Sequence, residues 1–288
     1  MPVEFIHSAD DRRIAMYHAL PKSQFAAESG LFITEGDKVT EQMFGSRFRP
    51  HSLLLEPTEL ERFQHLAGPD LPLYVVQREL MSATVGYKFH RGVMGCGYRG
   101  NLALLNEVVP PAPDRCLLAV CPELHDPTNL GTIIRTALAF RVDALLLGPG
   151  CADPLSRRVI RVSIGAALHL PLVWLHSPEE QLHQLREAFQ MEVCATVLDS
   201  EAAPLESFIP QSRTALLFGN EGHGLSEEVV SLCQQRVTIP MPPATDSLNA
   251  AVAAGIFLHH FASKQQPGIH GHASSQSLLD SRGRSSGH

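Results

Sequence analysis

The sequence has no run of about 18 consecutive apolar residues, the length that a membrane-spanning helix requires. Residues 1–13 also lack the long apolar stretch that marks a secretory signal. These two absences exclude an integral membrane protein with helical spans, and they lead us to expect no membrane partner. A cytoplasmic location is therefore expected.

Cysteine is present, but never in the pairs that bind zinc. None of the six cysteines belongs to a Cys-x-x-Cys pair, and several lie in apolar stretches typical of strands. This pattern disfavours a zinc site and a disulfide framework, and it predicts buried free thiols in a reducing compartment. The fifteen histidines show no ligand spacing either, so no metal is expected.

Basic charge is scarce as well. The formal net charge is −7 at pH 7, and neither half of the chain is basic overall. Because proteins bind nucleic-acid phosphates through basic surface, this composition argues against a broad nucleic-acid surface. Any such contact must come from a local patch of positive charge.

The chain length of 288 residues favours two domains of modest size. The proline-rich residues 110–113 cannot continue a helix or a central strand, so residues 108–115 are predicted to form a linker. The two domains are then residues 1–107 and 116–264. Residues 265–288 are rich in Gln, Gly, His and Ser, and they are predicted to be a disordered tail.

Both domains alternate strand-like apolar runs with helical patterns, which predicts an α/β fold. Before the linker, strands are predicted at 31–33, 52–55, 73–76 and 92–94, with helices at 39–44 and 58–66. After the linker, strands are predicted at 116–120, 144–147, 172–175, 193–197, 215–218 and 237–239, with helices at 129–140, 178–189 and 247–261. Continuously apolar strands covered by helices indicate a parallel sheet, and ligands bind such sheets beyond the carboxyl ends of the strands.

A glycine-rich segment near the end of the first domain matches a dinucleotide-binding pattern. Gly95, Gly97 and Gly100 satisfy the Gly-x-Gly-x-x-Gly pattern of dinucleotide-binding folds. That pattern requires a sustained helix after it, whereas Pro110 follows soon after Gly100. We therefore expect a turn that ends the first domain, and not an NAD site.

The first of three informative segments, DPTNLGTIIRTA, runs from Asp126 to Ala137 after a predicted strand. Asp126 or Asn129 can cap the helix that follows. Arg135 is then expected on the second helical turn, from where its side chain can reach back over the loop. A planar guanidinium in that place suits a phosphate, and a capped helix with a surface arginine is the alternative interpretation.

The second segment, LFGNEGHGLS, follows the strand predicted at 215–218. Three glycines surround Glu221, and glycine lets a backbone bend tightly and approach a ligand. Ser226 can cap the next helix. No lysine follows the glycines as in a P-loop, which disfavours a nucleoside triphosphate.

The third segment, IPMPPATDSLN, leads from another strand into the last helix. Its backbone groups are candidates for binding an adenine edge, with Ile239 and Leu248 packing on the ring. Ser247 is the expected N-cap of the last helix.

Together the three segments resemble the three signature motifs of the SpoU (TrmH-like) family in the SPOUT superfamily, and they occur in the family's order. A fourth match covers residues 161–171. The first domain is similar, more loosely, to the ribosomal-protein-like RNA-binding domain that many members carry, on the strength of the segment at 32–36 and the helix after it. The chain departs from the family pattern at Pro242 and Pro243, where many members have glycine.

The resemblance implies a methyltransferase that moves a methyl group from S-adenosyl-L-methionine (SAM) to a ribose 2'-hydroxyl of RNA, with ribosomal RNA favoured over transfer RNA. It implies an α/β fold whose C-terminal SPOUT-type parallel sheet carries a trefoil knot, with the smaller N-terminal α/β domain binding the RNA substrate. It also implies a homodimer with its site near the subunit interface.

The resemblance also assigns roles by position in the motifs. The cofactor-binding residues implied are Gly219, Asn220, Ile239, Met241 and Leu248. Arg135 is implied in anchoring an RNA phosphate and activating the hydroxyl, while the pocket and the ribose are assigned to Asn129, Glu221, Ser247 and Asn249. Because a guanidinium is a poor base, the general base stays open. The candidates for a local basic patch, or alternatively a solvated surface cluster, are Arg157, Arg158 and Arg161.

A non-catalytic RNA-binding protein of the same fold is the alternative function. The polar residues Asn129, Arg135, Glu221 and Asn249 count against it, since a retired site has no reason to keep them. An NAD-dependent enzyme is a third hypothesis. Thermal unfolding separates these hypotheses: SAM should raise the melting temperature and NAD should not, because only a ligand that binds the folded state has this effect.

Overall fold

The computed structural model of the protein describes residues 3–19, 29–242 and 247–265. Two sheets form the framework, one from each half of the chain. In the described part of the chain, no helix is both long and apolar enough to span a bilayer.

The first sheet is mixed and has five strands in the order β1-β4-β3-β5-β2. Its strands are β1 (Val3–Phe5), β2 (Leu31–Glu35), β3 (Pro50–Leu55), β4 (Leu73–Val75) and β5 (Val93–Tyr98). The helices of this half are α1 (Ala15–Ala19), α2 (Asp37–Phe44), α3 (Leu60–Gln64) and α4 (Arg78–Val85). β1, β4 and β3 are parallel, whereas β5 is antiparallel to both β3 and β2.

Helices cover both faces of this sheet, since alternate residues of each strand point to opposite sides. Leu54 of β3 packs in a buried cluster with Tyr17 of α1 and Met81 of α4. Leu53, on the opposite side of the same strand, packs in another cluster with Met43 of α2 and Phe63 of α3.

The turn predicted around Gly95 and Gly97 is wrong, because both residues lie inside β5. A Cβ atom at Gly95 would lie 2.5 Å from the Thr34 hydroxyl oxygen, and one at Gly97 would lie 2.5 Å from the ring of Phe32. Glycine is required here by close packing against the neighbouring strand and α2. Only Gly100, with a φ of 59°, adopts the left-handed backbone of a turn.

The second sheet has seven strands, all parallel, in the order β10-β12-β9-β11-β6-β7-β8. They are β6 (Cys116–Cys121), β7 (Ala144–Leu147), β8 (Leu172–Trp174), β9 (Glu192–Thr196), β10 (Ala203–Pro204), β11 (Arg213–Leu217) and β12 (Gln235–Thr238). The helices are α5 (Leu105–Val108), α6 (Pro127–Ala139), α7 (Arg157–Val162), α8 (Pro178–Glu187), α9 (Glu227–Ser231) and α10 (Ala250–Gln265). The predicted parallel sheet is therefore confirmed.

Both faces of the second sheet are buried, which explains its unbroken apolar strands. Along β6, Leu117 and Ala119 face α6, α7 and α10, whereas Leu118 and Val120 face α5, α8 and α9. Short 3-10 segments at Arg12–Ile14, Pro57–Glu59, Ala166–Leu168 and Leu205–Ser207 complete the described structure.

The segment between the two halves is anchored to the second sheet. Val109 is buried in the core on one face of that sheet. The Arg213 guanidinium donates to the carbonyl oxygens of Pro110, at 3.0 Å, and of Asp114. At the other end of the chain, Gln265 was predicted as the first residue of the disordered tail, but it belongs to α10. The rest of that predicted tail lies outside the described residues.

Candidate active site

The three motif segments lie at one edge of the second sheet. They follow β6, β11 and β12, and the order β12-β9-β11-β6 places these strands within four adjacent positions. Because all the strands are parallel, their carboxyl ends meet at the same edge. The loops that carry the predicted site residues are therefore brought together by the sheet.

The first segment begins α6. Asp126 is the N-cap, with its carboxylate accepting a 2.7 Å hydrogen bond from the Thr128 backbone N–H, and Pro127 occupies the first helical position. Of the two caps proposed from sequence, Asp126 is thus correct, and Asn129 is free for another role. The Asn129 side chain is buried, at 7% relative exposure.

Asn129 connects the other two segments. Its Nδ2 donates a 2.9 Å hydrogen bond to Glu221 Oε1 in the second segment. Its Oδ1 accepts a 2.9 Å hydrogen bond from Asn249 Nδ2 in the third. One buried amide therefore joins residues that are far apart in sequence. Its nitrogen bonds to a residue of the second segment, and its oxygen bonds to a residue of the third.

The second segment folds into a tight hairpin. Asn220 and Gly224 exchange backbone hydrogen bonds of 2.9 and 3.0 Å, and Asn220 Oδ1 accepts a 2.8 Å bond from the Gly222 backbone N–H. A Cβ atom at Gly219 would lie 2.3 Å from the Gly224 carbonyl carbon, so no larger residue fits there. Ser226 caps α9 as predicted, accepting a hydrogen bond from the Val229 N–H.

The last helix is capped by Asn249 and not by Ser247. Asn249 Oδ1 accepts hydrogen bonds of 2.9 and 3.3 Å from the backbone N–H groups of Ala251 and Val252. The helix therefore starts at Ala250, three residues later than predicted, and the cap residue is the one whose amide also reaches Asn129. Pro243, one of the two prolines at which the chain departs from the family pattern, lies outside the described residues.

A cavity of about 940 Å³ opens at this edge of the sheet. It is lined by seven of the ten predicted site residues: Gly219, Asn220, Glu221, Ile239, Met241, Ser247 and Leu248. All five residues predicted to bind a cofactor are in that set. Asn129 and Asn249 lie behind Glu221 and are not part of the lining.

Arg135 is exposed on the third turn of α6 and does not line the cavity. It was expected on the second turn, but the helix begins two residues before the predicted start. Among the residues that the structure describes, none forms a hydrogen bond or ion pair with the Arg135 guanidinium, which is thus available to a ligand.

The loop after β9 was missed by sequence reasoning. Val197, Leu198 and Asp199 of this loop line the cavity, together with Thr196 at the end of β9, and Phe257 of α10 adds an aromatic wall. Asp199 also forms an ion pair with Arg236. The available signal was position alone, since this loop leaves the carboxyl end of a strand that the apolar pattern had predicted.

A polar cluster also links the first two segments at the surface. Glu123 lies 3.0 Å from His125 Nε2 and 3.6 Å from His223 Nε2, and Asn220 Nδ2 lies 3.2 Å from His125 Nδ1. These side chains are largely exposed, so the cluster adds little stability. Within the described ranges, no three His, Cys, Asp or Glu side chains are placed to hold a metal ion.

The three arginines of α7 have different surroundings. Arg157 is mostly enclosed and forms an ion pair with Glu35, with an Nη2–Oε2 distance of 3.0 Å. Arg158 is exposed, and Arg161 is about half exposed. Of the three arginines in the predicted basic patch, Arg158 and Arg161 are therefore accessible, whereas Arg157 is paired with Glu35.

Comparison with known proteins places this geometry in a family. The model of the SpoU rRNA Methylase family matches residues 117–259. A tRNA/rRNA methyltransferase of Mycobacterium bovis is 33% identical over 264 residues, covering 89% of this chain and 90% of the relative. The chain belongs to the SpoU rRNA methylase family.

Other relatives agree with this membership. The 23S rRNA (guanosine(2553)-2'-O)-methyltransferase RlmP of Bacillus subtilis is 28% identical, over 88% of this chain and 98% of its own length. An rRNA methyltransferase of Sinorhizobium meliloti, solved with AdoMet bound, has the same fold, with a TM-score of 0.80 and 24% identity over 91% of this chain and 98% of that one. This SpoU family member therefore shares its overall fold with that structure over 91% of its length.

Proposed function

We propose that this chain is an RNA methyltransferase that uses SAM to methylate a ribose 2'-hydroxyl, with ribosomal RNA as the favoured substrate and transfer RNA as the second choice. The hydrogen-bonded link from Asn249 through Asn129 to Glu221 carries the proposal, because it joins three distant segments beside one cavity. The name of the Bacillus subtilis relative, a 23S rRNA 2'-O-methyltransferase, supports the reaction and the substrate.

The cavity fits an adenine nucleoside that carries a charged tail. Its volume of about 940 Å³ falls in the range of small-molecule sites. Ile239, Leu248 and Phe257 supply apolar walls for a ring, whereas Glu221 supplies a carboxylate that suits a cation. The bound AdoMet of the Sinorhizobium meliloti neighbour supports the same cofactor here.

Bound SAM supplies an electrophilic methyl group on a sulfonium centre. In this proposal the cofactor is held by Gly219, Asn220, Ile239, Met241 and Leu248. The hairpin from Asn220 to Gly224 presents its backbone to the cavity, because glycine allows the chain to approach closely. Pre-formed loops reduce the ordering that binding would otherwise require.

The ribose is assigned to the polar side of the site. Glu221 and Ser247 face the cavity. Asn129 donates a 2.9 Å hydrogen bond to Glu221 and is itself held by a 2.9 Å hydrogen bond from Asn249, which together keep Glu221 in one orientation. Arg135, whose guanidinium is exposed, anchors an RNA phosphate and thereby fixes the hydroxyl for attack. A guanidinium stays protonated in proteins, so the group that accepts the hydroxyl proton is left open.

We also propose roles for the two halves of the chain, a homodimer and a knot. Residues 1–107 bind the RNA substrate, residues 108–115 connect the halves, and residues 116–264 carry out methyl transfer in the cytoplasm. A homodimer is supported by apolar side chains exposed on two helices that pack together, namely Leu138 of α6 with Val252 and Ile256 of α10. The family resemblance adds a trefoil knot in the second half, where the loops after β11 and β12 line one cavity.

The proposal is tested by transferring labelled methyl groups from SAM to total RNA from a strain that lacks the protein. We expect incorporation at one nucleotide, seen as resistance of the adjacent bond to alkaline cleavage. Arg135→Ala should lower the rate about 100-fold, the scale of a lost group that positions the reacting hydroxyl. Arg141→Ala, at an exposed arginine near the amino end of β7 on the opposite edge of the second sheet, is the matched control and should leave the rate unchanged.

Two results would contradict the proposed enzyme or its cofactor. If SAM raises the melting temperature but no RNA pool accepts methyl groups, the non-catalytic RNA-binding protein replaces the enzyme as the best explanation. If SAM does not shift the melting temperature at all, the cofactor assignment is wrong.

A further inference from the structure

The strongest unexplained feature is a buried carboxylate where the two halves of the chain meet. Glu35 ends β2 of the first sheet, and its side chain is only 4% exposed. Arg157 and Arg161, both on α7 of the second half, lie against it, and so does Arg91 of the first half. Three positive groups therefore surround a single buried negative one.

Arg157 alone is positioned to compensate Glu35. Its Nε and Nη2 both lie 3.0 Å from Glu35 Oε2, and its side chain is 16% exposed. The guanidinium also stacks over the Tyr87 ring, 4.9 Å from the centroid, and the Tyr87 hydroxyl donates to Glu35. A buried charge needs a paired and hydrogen-bonded partner, and Arg157 with Tyr87 provides it.

Arg91 and Arg161 are in excess of that requirement. Each lies 3.9 Å from Glu35, beyond hydrogen-bond distance, and their side chains are 53% and 47% exposed. Both guanidinium groups thus lie partly in solvent beside an already neutralised carboxylate. On a chain whose net charge is −7, this is a local concentration of positive charge that folding does not need.

Arg158 extends the same charge towards the candidate active site. It is exposed on the adjacent side of α7, and its Nη2 donates a 2.9 Å hydrogen bond to Thr128 Oγ1. Thr128 precedes Asn129, the centre of the motif network. The distance between α6 and α7 is fixed by Gly131, where a Cβ atom would lie 2.8 Å from Val162 Cβ.

We propose that Arg91, Arg158 and Arg161 form a phosphate track that holds the RNA backbone beside the target nucleotide, while Arg157 serves only as the counter-ion of Glu35. This inference rests on the proposed function. RNA is the partner that the geometry favours, since the track begins at the motif network and crosses to the first sheet. Arginine binds phosphate oxygens in a bidentate manner without reading sequence, so the track positions the strand and leaves base selection to other residues.

The test measures how the affinity for a labelled 40-nucleotide RNA of mixed sequence depends on salt concentration. The variants are Arg91→Gln, Arg158→Gln and Arg161→Gln, with Arg141→Gln as a control for the same charge change on the opposite edge of the second sheet. Each track variant should weaken binding about two- to fivefold, the range of one exposed charge pair, and lower the slope of log Kd against log salt by about 1. Arg141→Gln should change neither quantity.

Arg157→Gln separates binding from folding. It should lower the melting temperature, because Glu35 loses its buried partner, and leave the salt slope as in the parent protein. The proposal is overturned if the three track variants keep the parent slope, or if Arg157→Gln lowers the slope as much as they do.

Failure of the phosphate track and failure of the proposed enzyme would give different results. Methyl transfer together with unchanged slopes removes the track and keeps the enzyme. Reduced slopes in a protein that neither binds SAM nor transfers methyl groups keep the track and remove the enzyme. The SAM-induced rise in melting temperature should be the same in the track variants as in the parent.

Discussion

The side chain of Asn249 joins two sets of hydrogen bonds through opposite ends of one amide. Its oxygen caps α10 by accepting from Ala251 and Val252, and its nitrogen donates to Asn129. The first set stabilises a helix, and the second orients the motif network. A substitution that preserves one set and removes the other therefore separates stability from activity at this residue.

Asn249→Asp is that substitution. Aspartate caps helices as well as asparagine does, so the free energy of unfolding should change by less than about 1 kcal/mol. The hydrogen bond to Asn129 is lost, because a carboxylate oxygen cannot donate to Asn129 Oδ1. If the Asn129 amide flipped, its oxygen would instead face the Glu221 carboxylate, and that hydrogen bond would be lost. We expect methyl transfer to fall about tenfold or more in kcat, measured with saturating SAM and RNA.

Asn249→Ala is the companion variant. It removes the cap as well as the link, and it should cost about 1 kcal/mol more in urea unfolding than Asn249→Asp. Equal activity in Asn249→Asp and the parent would show that the network does not act in catalysis.

At the scale of elements, the crossing of α6 and α7 decides where the first motif and the arginines stand. A Cβ atom at Gly131 would lie 2.8 Å from Val162 Cβ and 3.1 Å from the Val159 carbonyl oxygen. The glycine in the middle of α6 is thus required by helix packing, although glycine weakens a helix interior. The crossing holds Arg158 against the first turn of α6.

Gly131→Ala should destabilise the protein by about 1–3 kcal/mol, because overpacking at the crossing outweighs the gain in helix propensity. Gly255→Ala in α10 is the matched control. Its new Cβ would meet only Thr136 Cγ2, at 3.8 Å, so we expect no loss and up to about 1 kcal/mol of gain. Urea unfolding of both variants measures the difference, and equal effects would contradict the packing argument.

At the scale of the whole molecule, both sheets are closed by helices and the free thiols lie inside. Cys96, Cys116, Cys121 and Cys194 are buried, and Cys151 and Cys233 are half-buried. Burial raises the pKa of Cys96 and Cys116 to about 12, and the pKa of Cys151 and Cys233 to about 11. Burial also raises the pKa of Cys121 and Cys194.

These shifts predict loss of stability in alkali. A thiol whose pKa is raised by folding keeps its proton in the folded state, while the unfolded chain releases it near its ordinary value of 9.0. The contribution of these thiols to the free energy of unfolding is therefore fully present below about pH 9. It is lost as the pH rises towards the pKa values of the folded state. Each thiol contributes a slope of about 1.4 kcal/mol per pH unit in that window.

Urea unfolding between pH 9 and about 10.5 measures this slope. Cys116→Ala should remove one thiol's share of it, even if the substitution itself lowers stability. An identical slope in Cys116→Ala and the parent would contradict the assignment to buried thiols.

The pattern of apolar residues was enough to predict the parallel sheet, since strands buried on both faces need continuous apolar runs. All six strands predicted after residue 115 occur in the structure. Short or amphipathic elements such as β1, α7 and the two-residue β10 were not predicted, because their stability comes from neighbours and not from their own pattern. The helix around Asn129 was predicted, with its start two residues late.

The sequence by itself determined the family motifs, and with them the residues to examine. Only the tertiary structure decided that Asn129 joins Glu221 and Asn249, that Asn249 caps α10, and that the loop after β9 lines the cavity. It also decided that Arg157 is paired with Glu35 while Arg158 and Arg161 stay accessible. The reason is physical: side-chain partners distant in sequence are set by strand order and helix crossing, which local patterns do not encode.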